Sequence, residues 1–437
     1  MQTLSRKNLF YVSMLLFGLF FGAGNLIFPP LLGKDAGTNS FIALAFFCIT
    51  AIVIPILGVI SVAKSNGLNH LAKRVDPIFA IIFTSAIYLS IGPALGIPRA
   101  GSLPFEMVVA SYLPADISLT LPRFLYTLLF FGAAYWLSQN PSKLVDRLGK
   151  LLTPLLILLL VGMFLGIVFK DTTAFPAPTL AYAANPAVKG FIEGYNTMDA
   201  VAALNFGLVI SLSIRSLQIK DQKAVERYSI KAGINAGFAL LVIYLMLTYI
   251  GSSTAGLFPD TENGAQVLTQ AITYGFGPFG AVLLAIIFTL ACLTTCVGLI
   301  TSSSQYFTTL THRVSYVTWV RVWTLSSLLL ANFGLNAILS YSVPILIAIY
   351  PVSIVLILFG LIDKLKDFTL VYKITIYLTA LQSILNALDL TGIQIPYLTN
   401  LFRALPFYDL GLGWVCLSAL AFLGSLLLEI SLRHLKH

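Results

Sequence analysis

Three stretches of this sequence carry residues that disrupt or ligate rather than fill a helix. The first reads Gly18-Leu-Phe-Phe21-Gly22-Ala23-Gly24-Asn25-Leu-Ile-Phe28-Pro29-Pro30. The second reads Glu193-Gly194-Tyr195-Asn196-Thr197-Met198-Asp199-Ala200, and the third Ala291-Cys-Leu-Thr294-Thr295-Cys296. Glycine loses most backbone entropy in a helix and proline removes a backbone donor, so the first stretch is set to break and free peptide groups for a ligand. Gly18 and Gly22 also form a G-x-x-x-G packing pair. Packing leaves Asn25 and the clustering of the glycines unexplained, so an unwound, ligand-contacting segment is expected. In the second stretch Asn196, Thr197 and Asp199 are helix-starting types, which predicts a break near Gly194–Thr197 and a new half-helix after it. Asp199 is then either a structural cap or a site acid, and Glu193 either a site acid or a residue at an outer mouth. In the third stretch the Ala291 carbonyl and the Thr294 and Thr295 hydroxyls, one turn apart, supply hard oxygens that suit a small alkali cation. The competing reading is that both hydroxyls bond back to their own helix, as does Thr301–Ser304 further on.

These stretches sit in a chain of 437 residues, 58% hydrophobic, with 43 charged residues, or 10%. A soluble domain carries about 25% charged residues. That excludes a soluble enzyme, a nucleic-acid binder, a disordered chain and a secreted domain together. A polytopic membrane protein remains, with room for about twelve spans of roughly 20 residues. Apolar runs fall at 9–31, 40–62, 78–98, 121–138, 150–169, 188–212, 229–251, 277–308, 315–333, 337–360, 370–388 and 407–430. The run after Arg6 and Lys7 is too long for a signal peptide's apolar core and reads as a retained first span. Segments 99–120 and 252–276 read as outer loops, the former with a short interfacial helix. The broken end Ser90-Ile-Gly92-Pro93-Ala-Leu-Gly96-Ile-Pro98-Arg99 either shapes an outer pathway or simply ends span three.

With the N-terminus inside, 20 of the 26 Lys and Arg residues fall on the inner side, among them Arg74, Arg147, Arg215, Arg313 and Lys436. Six (Lys34, Arg99, Arg123, Lys170, Lys189, Arg403) fall outside. This bias predicts both termini in the cytoplasm. It also accounts for the net charge of +9 without nucleic acid. Cys48, Cys292, Cys296 and Cys416 lie in apolar runs and read as small apolar residues rather than disulfides or metal ligands. His70, His312, His434 and His437 all fall in inner loops or the inner tail, so no intramembrane histidine is left for a metal or a protease dyad. The glycines of span one lack the lysine of a phosphate loop. An enzyme is therefore not expected, nor ATP-driven transport by this chain alone. Few acids lie at membrane depth, so a cation held by neutral oxygens is favoured over a proton relay. No obligate protein partner is evident.

Spans one and six, both broken, stand five spans apart. An odd number of spans inverts a repeat, so spans 1–5 and 6–10 are expected to be inverted repeats with a site at the midplane. The expected units are 1–187, 188–369, and 370–437 with two additional helices.

The run Phe20-Phe-Gly22-Ala23-Gly24-Asn25-Leu-Ile-Phe-Pro29-Pro30 resembles the first-helix signature of the bacterial branched-chain amino acid:cation symporters. Glu193–Ala200 and Ile91-Gly92-Pro93-Ala-Leu-Gly96-Ile-Pro98-Arg99 are similar to that family too, and the resemblance extends over essentially the whole chain. It implies an all-α, leucine-transporter-like fold of about twelve helices, with helices one and six broken. It implies import of leucine, isoleucine and valine across the bacterial cytoplasmic membrane, driven by Na+ or in some members H+. Ala291-x-x-Thr294-Thr295 resembles the wider fold's eighth-helix sodium motif, with Thr in place of Ser. By the same likeness the Gly18 and Phe21 carbonyls would complete the sodium site. Gly22, Ala23, Gly24, Asn25, Tyr195, Asn196, Thr197, Met198 and Asp199 would hold the substrate. A zwitterion suits such breaks, because helix N-termini attract its carboxylate and freed carbonyls its ammonium. The alternatives are a proton-coupled carrier using Asp199, and a nutrient receptor or channel with the same fold.

Overall fold

A computed structural model describes residues 3–435 apart from 111, 112, 115 and 171. Lys436 and His437, assigned above to the inner tail, lie outside the described residues. Among the described residues there are helices and no strands. A helix or a pair of half-helices lies at each of the twelve apolar runs. Eight helical segments are long and apolar enough to cross a membrane by length and composition. The surface agrees with that reading. Leu129, Leu158 and Phe238 are each more than two-thirds exposed, while Ser13, Asn205, Thr294 and Ser303 are fully buried. Apolar surface of this kind is covered by lipid, not water.

The first span divides into half-helices Arg6–Phe20 and Ala23–Ala36. The break expected in this stretch lies at Phe21–Gly22, because Asn25 caps the second half. Its Oδ1 accepts the Gly22 N–H at 3.2 Å, the back-reaching bond of a capping box. Ala23, Gly24 and Asn25 are thus a helical first turn. Pro29 and Pro30 do not end the run but sit inside Ala23–Ala36. That half-helix packs on the long helix Gln222–Thr254. The approach is close: Gly251 lies against the Pro30 carbonyl, and the Ser252 hydroxyl donates to the Gly33 carbonyl at 2.8 Å.

The sixth span divides into Pro186–Tyr195 and Asp199–Ser216. Between them Met198 adopts φ 67°, a left-handed conformation that interrupts the helix. The first half packs on Ser40–Cys48, the second on Ile54–Lys64 and on the eighth-span helix Phe279–Leu310.

Span three corrects the outer-loop expectation for 99–120. Helical structure runs from Pro77 to Val109, through a kink where Gly92 leaves helical geometry (φ −84°, ψ −121°) ahead of Pro93. The charges that suggested a loop are accommodated inside the fold. Glu106 pairs with Arg123 at 3.4 Å, and Arg99 turns toward a cavity. The segment 252–276 likewise contains a helix, Gly264–Phe276, which packs against Ala23–Ala36 and Phe279–Leu310.

Candidate functional site

The two breaks meet through side chains. Asn25 Nδ2 donates to Asp199 Oδ2 at 2.6 Å and also to the Tyr244 hydroxyl. Asn25 and Asp199 are 2% and 4% exposed, so this contact is shielded from solvent. Asp199 is the first residue of its half-helix, and its carboxylate accepts from Asn25 of the other broken span. Thr197 stabilises the turn before it, donating from Oγ1 to the Gly194 carbonyl at 2.8 Å. Both resumed half-helices, Ala23–Ala36 and Asp199–Ser216, begin here, and their free N–H groups and dipoles favour negative charge.

Beside this contact lies a cavity of about 90 Å³. Gly22, Ala23, Gly24, Asn25, Thr197, Met198, Asp199 and Thr295 all line it. Its apolar wall comes from Phe20, Ile91, Leu95, Phe206 and Leu299, and Arg99 also faces it. Tyr195 and Asn196 are not brought here. They line a second cavity of about 660 Å³, shared with Pro351, Asp389 and Arg403. Glu193 forms an ion pair one helical turn back, with Lys189 at 2.6 Å.

The oxygens expected to hold a cation are partly assembled. Thr295 Oγ1 donates to the Gly18 carbonyl at 3.5 Å, which links spans eight and one. Phe21 stands at the break with ψ 81°, so its carbonyl leaves the helical ladder. Thr294 Oγ1 donates back to the carbonyls of Leu290 (3.1 Å) and Ala291 (3.0 Å), as the competing reading expected for this residue. Sequence reasoning passed over Thr153 of the helix Thr153–Val168. Its hydroxyl is buried without a hydrogen-bond partner and lies against Gly18. This hydroxyl lies beside Gly18, whose carbonyl Thr295 reaches, so hard oxygens of the kind that suit a small alkali cation cluster where spans one, five and eight meet. The two packing glycines earn their place here as well. A Cβ at Gly18 would meet Thr153 Oγ1, and one at Gly22 would lie 3.1 Å from Thr295 Oγ1. Close packing and the break therefore coexist in span one.

Sequence reasoning also missed Tyr244 and Arg99. Tyr244 lies in the middle of an unbroken apolar helix and has no local signature. Arg99 followed an apolar run and so read as the exit from the membrane. Gly92 and Pro93 were the available sign that the chain turns back inward.

Two interrupted helices that meet at a cavity with polar groups from both breaks and an apolar wall, inside a bundle with an apolar exterior, define a multi-pass helical membrane protein. Solved structures agree on this fold. MhsT in complex with L-phenylalanine aligns with TM-score 0.54 at 16% identity, covering 98% of this chain and 99% of MhsT. Mhp1, a nucleobase-cation-symport-1 family transporter, in a closed conformation with bromovinylhydantoin bound, aligns with TM-score 0.59 at 13% identity, covering 95% and 91%. The fold is thus the leucine-transporter-like class expected. Residues 5–431 match the family described as "Branched-chain amino acid transport protein", and the chain belongs to that family. Among its relatives, the branched-chain amino acid permease BraB of Bacillus subtilis is 41% identical over 417 residues, 95% of this chain and 94% of BraB. These are transport proteins rather than enzymes.

Proposed function

We propose that this protein is a secondary active symporter that imports leucine, isoleucine and valine across the bacterial cytoplasmic membrane. The observation that carries the reading is the Asn25–Asp199 contact at 2.6 Å, which joins the two helix breaks at one cavity. The substrate's carboxylate is attracted to the N-terminal turn Ala23–Asn25, and its ammonium to Asp199 and to the carbonyls freed at the breaks. Thr197 and Met198 hold the sixth-span break open to it. The aliphatic side chain lies against Phe20, Ile91, Leu95, Phe206 and Leu299. A pocket of this kind discriminates one methylene weakly, so all three aliphatic substrates are accepted. Tyr195 and Asn196 act from behind the break, at the second cavity.

Sodium is the coupling ion in this proposal. It is held by Thr294 and Thr295 with the carbonyls of Gly18, Phe21 and Ala291, and Thr153 stands within the same cluster. Thr294 releases its bonds to Leu290 and Ala291 on binding. Spans 1–5 and 6–10 form inverted repeats, residues 1–187 and 188–369, that rock about the site with both termini cytoplasmic. The two helices in 370–437 flank them.

Uptake of labelled leucine into proteoliposomes, under an inward sodium gradient, a proton gradient or neither, tests the proposal. Sodium-driven accumulation that is lost in Thr294→Ala and Thr295→Ala supports it. Accumulation driven by protons alone, and abolished in Asp199→Asn, moves coupling to Asp199. Binding without accumulation under any gradient indicates a receptor, and passive flux a channel.

A further inference from the structure

We propose that Arg99 is the carboxylate anchor for the transported amino acid, forming with Asp199 a pair of opposite charges that reads a zwitterion. This deepens the function proposed above and rests on it. Arg99 belongs to the helix Gly96–Pro104, which the kink at Gly92 and Pro93 swings toward the cavity. Arg99 lines the same cavity as Asn25, Met198 and Asp199. Nη1 donates to Met198 Sδ at 3.3 Å, a weak acceptor, so Arg99 is oriented by the sixth-span break itself. Among the described residues no carboxylate lies within ion-pair distance of Arg99. A guanidinium carries five N–H donors in a planar fork that matches a carboxylate two bonds at a time. Most of that fork is left for a ligand.

Asp199 lines the same cavity from the sixth-span half-helix. The cavity therefore offers one positive and one negative group to a ligand that carries one of each. An amino acid oriented with its carboxylate on Arg99 and its ammonium on Asp199 leaves neither buried charge uncompensated. An amine without a carboxylate faces Arg99 with a like charge, and a carboxylic acid without an amine brings no cation to Asp199. Selection of zwitterions over amines thus comes from Arg99, while the apolar wall selects the aliphatic side chain.

The test compares leucine with leucinamide, which keeps the side chain and ammonium and lacks the carboxylate. Equilibrium binding to the purified full-length protein is measured for the native chain, Arg99→Gln and Arg99→Lys. Arg99→Gln is expected to weaken leucine binding about 10- to 100-fold, the loss of a charge-assisted bidentate contact. Leucinamide binding is expected to hold or tighten in the same variant. Arg99→Lys, a point charge without the fork, regains part of the preference for leucine. Equal loss of both ligands in Arg99→Gln, or unchanged leucine affinity, overturns the assignment.

A second measurement needs no variant. Phenylglyoxal modification of the Arg99-containing peptide in the native protein, followed by mass spectrometry, is expected to slow with leucine and not with leucinamide. Equal protection by both, or by neither, also overturns it. If leucine binds and is transported while Arg99 proves indifferent, this inference alone fails. If the native protein binds none of leucine, isoleucine or valine, the proposed function fails with it.

Discussion

The Asn25 side chain touches both helix breaks. Its Oδ1 accepts from Gly22 N at 3.2 Å, and its Nδ2 donates to Asp199 at 2.6 Å and to Tyr244. Replacing it with alanine removes all three bonds and leaves a buried carboxylate without its amide partner. A neutral hydrogen bond contributes about 1 kcal/mol and one to a charged group about 1.5–3 kcal/mol, so the total lies at about 3.5–5 kcal/mol. Water entering the cavity recovers part of this. The share that acts through Asp199 weakens leucine binding about 10- to 100-fold, since 1.4 kcal/mol is a factor of ten. The remainder lowers the thermal unfolding midpoint in detergent. Tyr244→Phe removes one neutral bond and is expected to cost about 1 kcal/mol. A double-mutant cycle between Asn25→Ala and Asp199→Asn isolates the contact, with a coupling of about 1.5–3 kcal/mol expected. If the two changes add to within about 0.5 kcal/mol, the residues act independently and the joining of the two breaks is not energetic.

The cation site predicts that Thr295→Val raises the sodium concentration needed to stimulate leucine binding by tenfold or more, while sodium-free leucine binding stays unaltered. An unaltered sodium midpoint removes Thr295 from the site. The close approach at Gly18 predicts that Gly18→Ala destabilises by about 1–3 kcal/mol of overpacking, and that Gly18→Ala/Thr153→Ala restores most of the loss. A thermal midpoint for the double variant no better than for Gly18→Ala alone counts against the contact. At the end of span two, Lys64 (3.0 Å) and Lys366 (2.6 Å) hydrogen-bond the Asp363 carboxylate and draw its pKa down to about 2 from an ordinary 3.8. Because the folded value is depressed, the stabilisation is present above about pH 4 and is lost as pH falls toward 2. The Asp363 side chain is 59% exposed, so the effect is small. Asp363→Asn should lower the unfolding midpoint slightly at pH 6, by an amount that shrinks on acidification and in high salt; a gap that widens on acidification contradicts it.

The sequence alone determined that this chain belongs in a membrane, because too few polar residues exist to cover it in water. It also marked Gly22–Asn25, Thr197–Asp199 and Thr294–Thr295, because glycine, asparagine, aspartate and paired threonines are expensive in an apolar helix and therefore visible against it. The tertiary structure decided the rest, because each remaining feature depends on which faces meet. The break in span one falls at Phe21–Gly22 since Asn25 reaches back to cap it. Tyr195 and Asn196 adjoin Thr197 in sequence but line another cavity, since they end the first half-helix and the break lies between them and Asp199. Tyr244 and Thr153 carry no local mark and matter through partners more than a hundred residues away. Arg99 looked like a boundary charge until the kink before it swung it inward. A side chain's cost in a helix is local and can be read from its neighbours in sequence, whereas its partner is fixed by packing.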